Sequence, residues 1–392
     1  MEKVISTEKL PIKLWLNDLE QSALEQAKNL ANLPFAFRHI AIMPDSHFGF
    51  GMPIGGVLAA KNVIIPNAVG ADIGCGMCAV KTSLTEISTE DLKKIMGILR
   101  KEIPLGKDWH KTGKNQNLVP EFDPHVDPAY YEIVGPSRGD ALKQIGTLGG
   151  GNHFIEIQKG SDGFIWLMLH SGSRNVGKRT ADHYNALAIS LNEKWHSGIP
   201  KHWELAYLPI DSKEGQAYLA EMNWCVKFAL ANRKQMMTVF KEATNAVCGN
   251  STSFDKMINI AHNYAQLENH FGQNVWIHRK GATLASTDTI GIIPGSLGSP
   301  SYIVNGLGNR ESFNSCSHGA GRKMGREVAK RTLNLEEEIE KLNSQGIVHG
   351  LRHQNDLDES VGSYKNIDEV MKNQSDLVSI LVKLQPLASI KG

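Results

Sequence analysis

The chain lacks the features that mark a membrane protein, a secreted protein or a protein driven by a charged tail. Among its 392 residues no stretch approaches the roughly 20 apolar residues of a membrane span. The opening MEKVISTEKLPIKLW carries acidic residues and no apolar run, so no secretory signal is expected. Neither sign of charge prevails: 42 Lys and Arg against 41 Asp and Glu leave a formal net charge of +1. A nucleic-acid partner would therefore have to meet a local basic footprint. Cysteine is scarce, and five residues, an odd number, argue for reduced thiols in a cytoplasmic protein rather than a disulfide framework. Internal repeats and low-complexity linkers are missing too.

Glycine is plentiful, with 37 residues, many inside polar motifs. That pattern suits backbones that approach ligands closely. Periodicity predicts helices over residues 17–32, 90–102, 213–246 (the longest, broken or joined near Asn232), 321–343 and the start of 367–388. HIAIMP, NVIIP, FIWLMLH, VWIHRKG, TIGIIPG and YIVNGLG read as strands that end in turns. Residues 105–140 show no clear period and read as a variable surface excursion. Strands and glycine loops run through the whole chain with polar motifs at their ends. The expected architecture is one α+β domain, residues 1–392, with mixed sheets and helices around a central site.

The most informative run is VGADIGCGM, which sets Asp72 and Cys75 three residues apart among glycines and apolar residues. An unpaired carboxylate is costly in a core, and a shared cation would explain it. His153 in GNHFIE, His170 in LMLHSGSR and His262 in IAHNY each adjoin apolar and small or amide residues. Imidazole, carboxylate and thiolate together suit zinc, iron, cobalt or manganese better than calcium or magnesium. Five ligands exceed one tetrahedral site and suit a pair of ions. Cys75 and Cys78 also form a CxxC, but no second CxxC exists to complete a four-cysteine site, so Cys78 reads as a packing residue.

SCSHGAGR flanks His318 with small residues that let a bulky ligand reach the imidazole. It leads into the helix expected from near Gly321, where amides and Arg322 would suit an anion. A neutral imidazole beside phosphate can serve as nucleophile or base. Ser296, Ser301 and glycine amides in IPGSLGSPSYIVNGLG offer further donors; alone, that segment reads as an ordinary hairpin loop.

From MPDSHFGFG to the terminal Lys391-Gly392, these segments resemble the RtcB family of RNA ligases. The motifs that carry the resemblance are VGADIGCGM, LGGGNHFIE, MLHSGSR, HNY, RKGA, PGSLG and GLGNRESFNSCSHGAGR. The resemblance implies a fold built around a metal and nucleotide site. It also implies a reaction in which GTP guanylylates a histidine and the guanylate passes to an RNA 3′-phosphate. A 5′-hydroxyl then attacks and GMP leaves; a 2′,3′-cyclic phosphate would first be opened by hydrolysis. Two Mn2+ ions assist. Carried over, Asp72, Cys75, His153, His170 and His262 are the metal ligands, with Cys75 bridging, and His318 is the guanylylated residue. Asp45 lies close by, and Asn152, Glu156, Ser296, Ser301, Tyr364 and Lys391 contact the guanylate, with Arg322 as a phosphate clamp. Arg174, Lys178, Arg179, Arg279, Lys280 and Arg326 are candidate RNA contacts, each alternatively a solvated surface charge.

The expected partners are GTP and RNA with matched ends, in RNA repair or tRNA splicing; no membrane is involved. The natural RNA, the oligomeric state and any helper protein stay open. Two rivals remain: a metal-dependent RNA phosphoesterase that uses no nucleotide, and a catalytically silent RNA-binding protein.

Overall fold

A computed structural model describes residues 1–392. Two sheets dominate. The seven-stranded sheet is antiparallel throughout, in the spatial order Ile258–Ala261, Gly76–Lys81, Ile165–Ser171, Phe154–Gly160, Val378–Lys391, Ser301–Gly306 and Ile290–Ile293. The six-stranded sheet runs Lys3–Ile5, Ile12–Leu14, Ala36–His47, Ile54–Ala60, Gln273–Lys280 and Asn263–His270, with one parallel pair between Ile12–Leu14 and Ala36–His47.

Alternation along the Gly76–Lys81 strand shows why the larger sheet is buried on both faces. Cys78 and Val80 join Leu167, Leu169, Ile155 and Ile157 on one face, packed with residues of the helices Thr89–Glu102 and Lys213–Cys248. Met77 and Ala79 join Met168, Trp166 and Ile303 on the other. Cys78 is thus a core residue that faces away from the cluster around Cys75, which disposes of the CxxC reading. Ser88 caps Thr89–Glu102 by accepting from the Asp91 amide at 3.1 Å.

The Lys213–Cys248 helix is continuous over 36 residues, unbroken at Asn232. At a rise of about 1.5 Å per residue it spans about 54 Å and underlies the centre of the molecule. Two expectations need correction. The helix expected over 321–343 is two helices, Arg326–Thr332 and Leu335–Ser344, because Asn334 leaves the helical conformation and caps the second. Residues before Arg326 form a loop, with Gly321 at φ 73° and so close to Asp45 that a Cβ there would lie 2.1 Å from its carbonyl oxygen. Residues 105–140 are also more than a surface excursion. Val119, Tyr131 and Val134 are buried in the core cluster of Trp224 and Phe228, and the Trp224 indole donates to the Pro120 carbonyl at 3.1 Å.

The candidate metal centre and its neighbouring histidine

Strand ends build this site. Cys75 immediately precedes Gly76–Lys81, His153 precedes Phe154–Gly160, and His170 is the penultimate residue of Ile165–Ser171. Pairing of His170 with both Met77 and Phe154 brings the three together. His262 sits where the chain leaves one large sheet for the other, between Ile258–Ala261 and Asn263–His270. Its amide donates to the Cys75 carbonyl at 2.8 Å.

The Cys75 sulfur lies 3.4 Å from Nε2 of His153 and 3.2 Å from Nε2 of His170. Asp72 Oδ2 reaches His153 Nε2 at 3.1 Å, and His262 Nε2 lies 3.4 Å from His170 Nε2. The donor atoms of Cys75, His153 and His170 all fall within 4.8 Å of one another. His170 Nδ1 is 2.9 Å from the Asn152 carbonyl, which assigns its proton to Nδ1 and leaves Nε2 a lone pair facing the cluster. Burial lowers the His170 pKa to about 3 and that of His262 well below the ordinary value, so both rings are neutral. Burial, then the neighbouring Asp72, pushes the Cys75 thiol well up. Burial works to raise the Asp72 carboxyl, but His153 outweighs it and the carboxyl stays low. Converging lone pairs with no cation among them are unfavourable, and a divalent cation resolves the conflict. The residues fit a metal.

Two residues that sequence reasoning passed over hold this arrangement from below. Asn232 accepts from the Gly146 and Thr147 amides at 2.7 and 3.2 Å and donates to the Gly172 carbonyl at 3.2 Å. Arg233 is fully buried; its Nη1 donates to the carbonyls of Gly74 and Ser171 at 2.9 and 2.8 Å, next to Cys75 and His170. Their signal was available: an adjacent amide and guanidinium on the buried stripe of Cys225, Phe228, Ala229, Met236 and Met237.

His318 follows the short strand Ser315–Ser317 and shares a cavity of about 280 Å³ with the metal cluster. Its ring meets that of His262 edge to face, with centroids 4.8 Å apart. Asp45, wholly buried, accepts the backbone amides of His318 and Gly319 at 3.0 and 3.1 Å. The same oxygen lies 2.6 Å from His318 Nδ1. Asn152, Glu156, Ser296, Arg322, Tyr364 and Lys391 line the cavity as well. Burial raises the Glu156 carboxyl to about 8 despite hydrogen bonds from Gln158 and Ser389. Arg322 and Arg326 both pair with Glu359, at 3.0 and 2.8 Å, and the Tyr364 hydroxyl donates to the same carboxylate. Lys391 pairs with Asp358.

Some expected placements fail. Ser301 is buried behind the cavity, where its hydroxyl accepts from the Gly295 amide and from Gln158, each at 3.1 Å. No helix N-terminus faces His318, since the next helix starts at Arg326. Of the basic candidates, Arg279 is wholly buried against Glu268, and Lys280 donates inward to the Phe50 and Asn67 carbonyls at 2.5 and 2.9 Å. Strand Gln273–Lys280 lies inside its sheet, which turns both residues away from solvent. Arg174 is half-buried and braces Thr147 and Gly106, at 2.8 Å each. Lys178 and Arg179 are exposed, with Lys178 paired to Asp182, and Arg326 lines the cavity.

Known proteins resemble this chain over nearly its whole length. The family model described as tRNA-splicing ligase RtcB matches residues 26–392. The RNA-splicing ligase RtcB of Escherichia coli K12 is 37% identical over 409 aligned residues, which span 100% of this chain and 99% of that protein. The tRNA-splicing ligase RtcB of Thermococcus kodakarensis is 31% identical, over 95% of this chain and 92% of its own length. The RNA-splicing ligase RtcB of Mycobacterium tuberculosis is 32% identical, over 94% of this chain and 100% of its own. With the match running from the first helix to the terminal glycine, the chain belongs to the RtcB family.

Proposed function

We propose that this chain is a GTP-dependent RNA ligase. It joins RNA 3′-phosphate or 2′,3′-cyclic phosphate ends to 5′-hydroxyl ends through a guanylate carried on His318, in RNA repair or tRNA splicing. Asp72, Cys75, His153, His170 and His262 would hold two Mn2+ ions. The single observation that carries the reading is His318 itself: its ring lies against the donor cluster at 4.8 Å while a buried carboxylate sits 2.6 Å from its Nδ1. The ligase names of the full-length relatives support the substrate class.

With the Asp45 carboxylate 2.6 Å from Nδ1, Nε2 is the nitrogen left to attack the α-phosphorus of GTP. An N–P bond forms, the bond to the β-phosphate breaks, and pyrophosphate leaves. The Asp45 carboxylate beside the ring offsets the positive charge that develops on it. A 3′-phosphate oxygen of the RNA then displaces His318 and takes the guanylate, and attack by the 5′-hydroxyl releases GMP. Bound metal ions supply charge neutralisation on the phosphate oxygens and orientation of the attacking group. Asn152, Ser296, Arg322, Tyr364, Lys391 and the neutral carboxyl of Glu156 would surround the guanylate. Ser301 supports the Gly295 turn from behind. Lys178, Arg179 and Arg326 remain the RNA contacts, and binding through them should weaken as salt rises.

The test is covalent labelling. Incubation with α-labelled GTP and Mn2+ should leave label on the denatured protein, and His318→Ala should abolish it. Failure of the wild type to take up label would refute the assignment.

A further inference from the structure

The sequence DSHFGFGMP places two phenylalanines on either side of Gly49, and the structure leaves both in solvent. Phe48 is 51% exposed and Phe50 71%, the most exposed large hydrophobic side chain of the chain. Their backbone, by contrast, is tightly held. The Phe48 amide donates to Glu20, the Gly49 amide to Gln26 at 3.1 Å and the Gly51 amide to Glu204 at 3.0 Å. Lys280, buried in the neighbouring strand, donates to the Phe50 carbonyl at 2.5 Å. A Cβ at Gly49 would lie 2.6 Å from the Met52 carbonyl oxygen, and one at Gly51, where φ is 68°, would lie 2.5 Å from that of Glu204. Only glycine fits at these points, so the turn is rigid while its rings are free.

The turn is also continuous with the cavity. His47 before it and Ile54 after it both line the wall. Gly281 packs between Ile54 and His318: a Cβ there would sit 2.5 Å from Ile54 Cγ2 and 3.1 Å from His318 Cε1. The loop is therefore a rim on the His318 side of the site.

The geometry points to Phe48 and Phe50 as a stacking platform for the unpaired bases next to the RNA end being joined. This rests on the ligase reading above. Aromatic rings accept any base because every base has a π face, and a turn already fixed loses little entropy when a base settles on it. Two rings flanking Gly49 present far less area than the roughly 800 Å² per partner of an ordinary protein interface. Lys280, expected from sequence to touch RNA, acts instead as a positioning residue beneath this turn.

The experiment measures the affinity of the intact protein for a single-stranded oligoribonucleotide with a 3′-phosphate, by fluorescence anisotropy without GTP. Phe48→Ala and Phe50→Ala should each weaken binding about five- to a hundredfold, the range for loss of one stacked base. Phe50→Trp should restore it, whereas Phe50→Leu, which keeps apolar bulk without a π face, should not. Labelling of His318 is followed in parallel and reports that each variant is folded. Unchanged RNA affinity in alanine variants that still take up label overturns the platform, and leaves the rings to some other partner. A wild type that binds RNA through the rings but takes up no label would refute the ligase reading and leave the platform standing.

Discussion

Replacing Arg279 with methionine separates two roles that the residue could have. As an RNA contact, its loss would weaken substrate binding and leave stability intact. The structure makes it a core brace. The guanidinium is wholly buried and donates to Ser315 Oγ at 2.9 Å, the Phe313 carbonyl at 3.0 Å and Glu268 Oε2 at 3.1 Å. Removing one partner of a buried pair leaves the other charge uncompensated and costs about 3–5 kcal/mol. Burial would raise the Glu268 carboxyl, but Arg279 together with His270 reverses this and holds it at about 2 against an ordinary 4.5. A depressed carboxylate stabilises the fold fully above its unfolded pKa, and that stability drains away as pH falls from about 4.5 through about 2. For 392 residues the unfolding entropy is about 0.8 kcal/mol/K, so Arg279→Met should lower Tm by about 4–6 °C in calorimetry near neutral pH. In the variant, Glu268 is left as a buried acid without its cation, so stability should fall further as pH rises. An unchanged Tm with weakened RNA binding would refute the reasoning.

Other consequences can be checked alongside. Cys75→Ala should lose bound metal after dialysis, measured by elemental analysis, while Cys78→Ala should keep it and lose only about 1 kcal/mol of stability; equal metal content in both would remove Cys75 from the site. Asn232→Leu strips partners from the Gly146, Thr147 and Gly172 backbone, and should weaken metal affinity about 10–100-fold in a chelator competition. Glu221, buried beneath residues 133–134, has its carboxyl raised to about 7 by burial, despite hydrogen bonds from the Ile133 and Val134 amides. The unfolded chain therefore gives up this proton first, and stability should decline as pH rises from about 4.5 to about 7. Urea midpoints at those two pH values should show a shallower decline in Glu221→Gln, and parallel slopes would count against it.

Residue type made the donor set legible. A thiol, a carboxylate and imidazoles set among glycines and apolar residues have few uses besides a cation. His318 among small residues was legible for the same reason. The C-terminal strand Val378–Lys391 carries Lys391 to the cavity. The Arg-Lys-Gly at 279–281 misled, because a basic pair before glycine looks the same whether its strand is central or at an edge. The helical period over 321–343 ran through a break that only the Asn334 cap reveals. Residues 105–140 looked structureless because their partners, Trp224 and Glu221, lie far along the chain.

What the sequence by itself determined was the inventory: which atoms can bind a metal, act as a nucleophile or span a core, and at which strand ends they stand. That information is local, since chemical type and turn propensity belong to each residue and its neighbours. Tertiary structure alone decided which of them meet. Strand register sets His170 beside Phe154 and Met77, the crossing between sheets brings His262 to Cys75, and Asp45 reaches His318 across 273 residues of chain. It also decided which charges are spent inside, as with Arg279, Lys280 and Arg233. Burial depends on what packs from elsewhere in the chain, and that packing turns a basic residue into a brace or leaves a phenylalanine free on the rim.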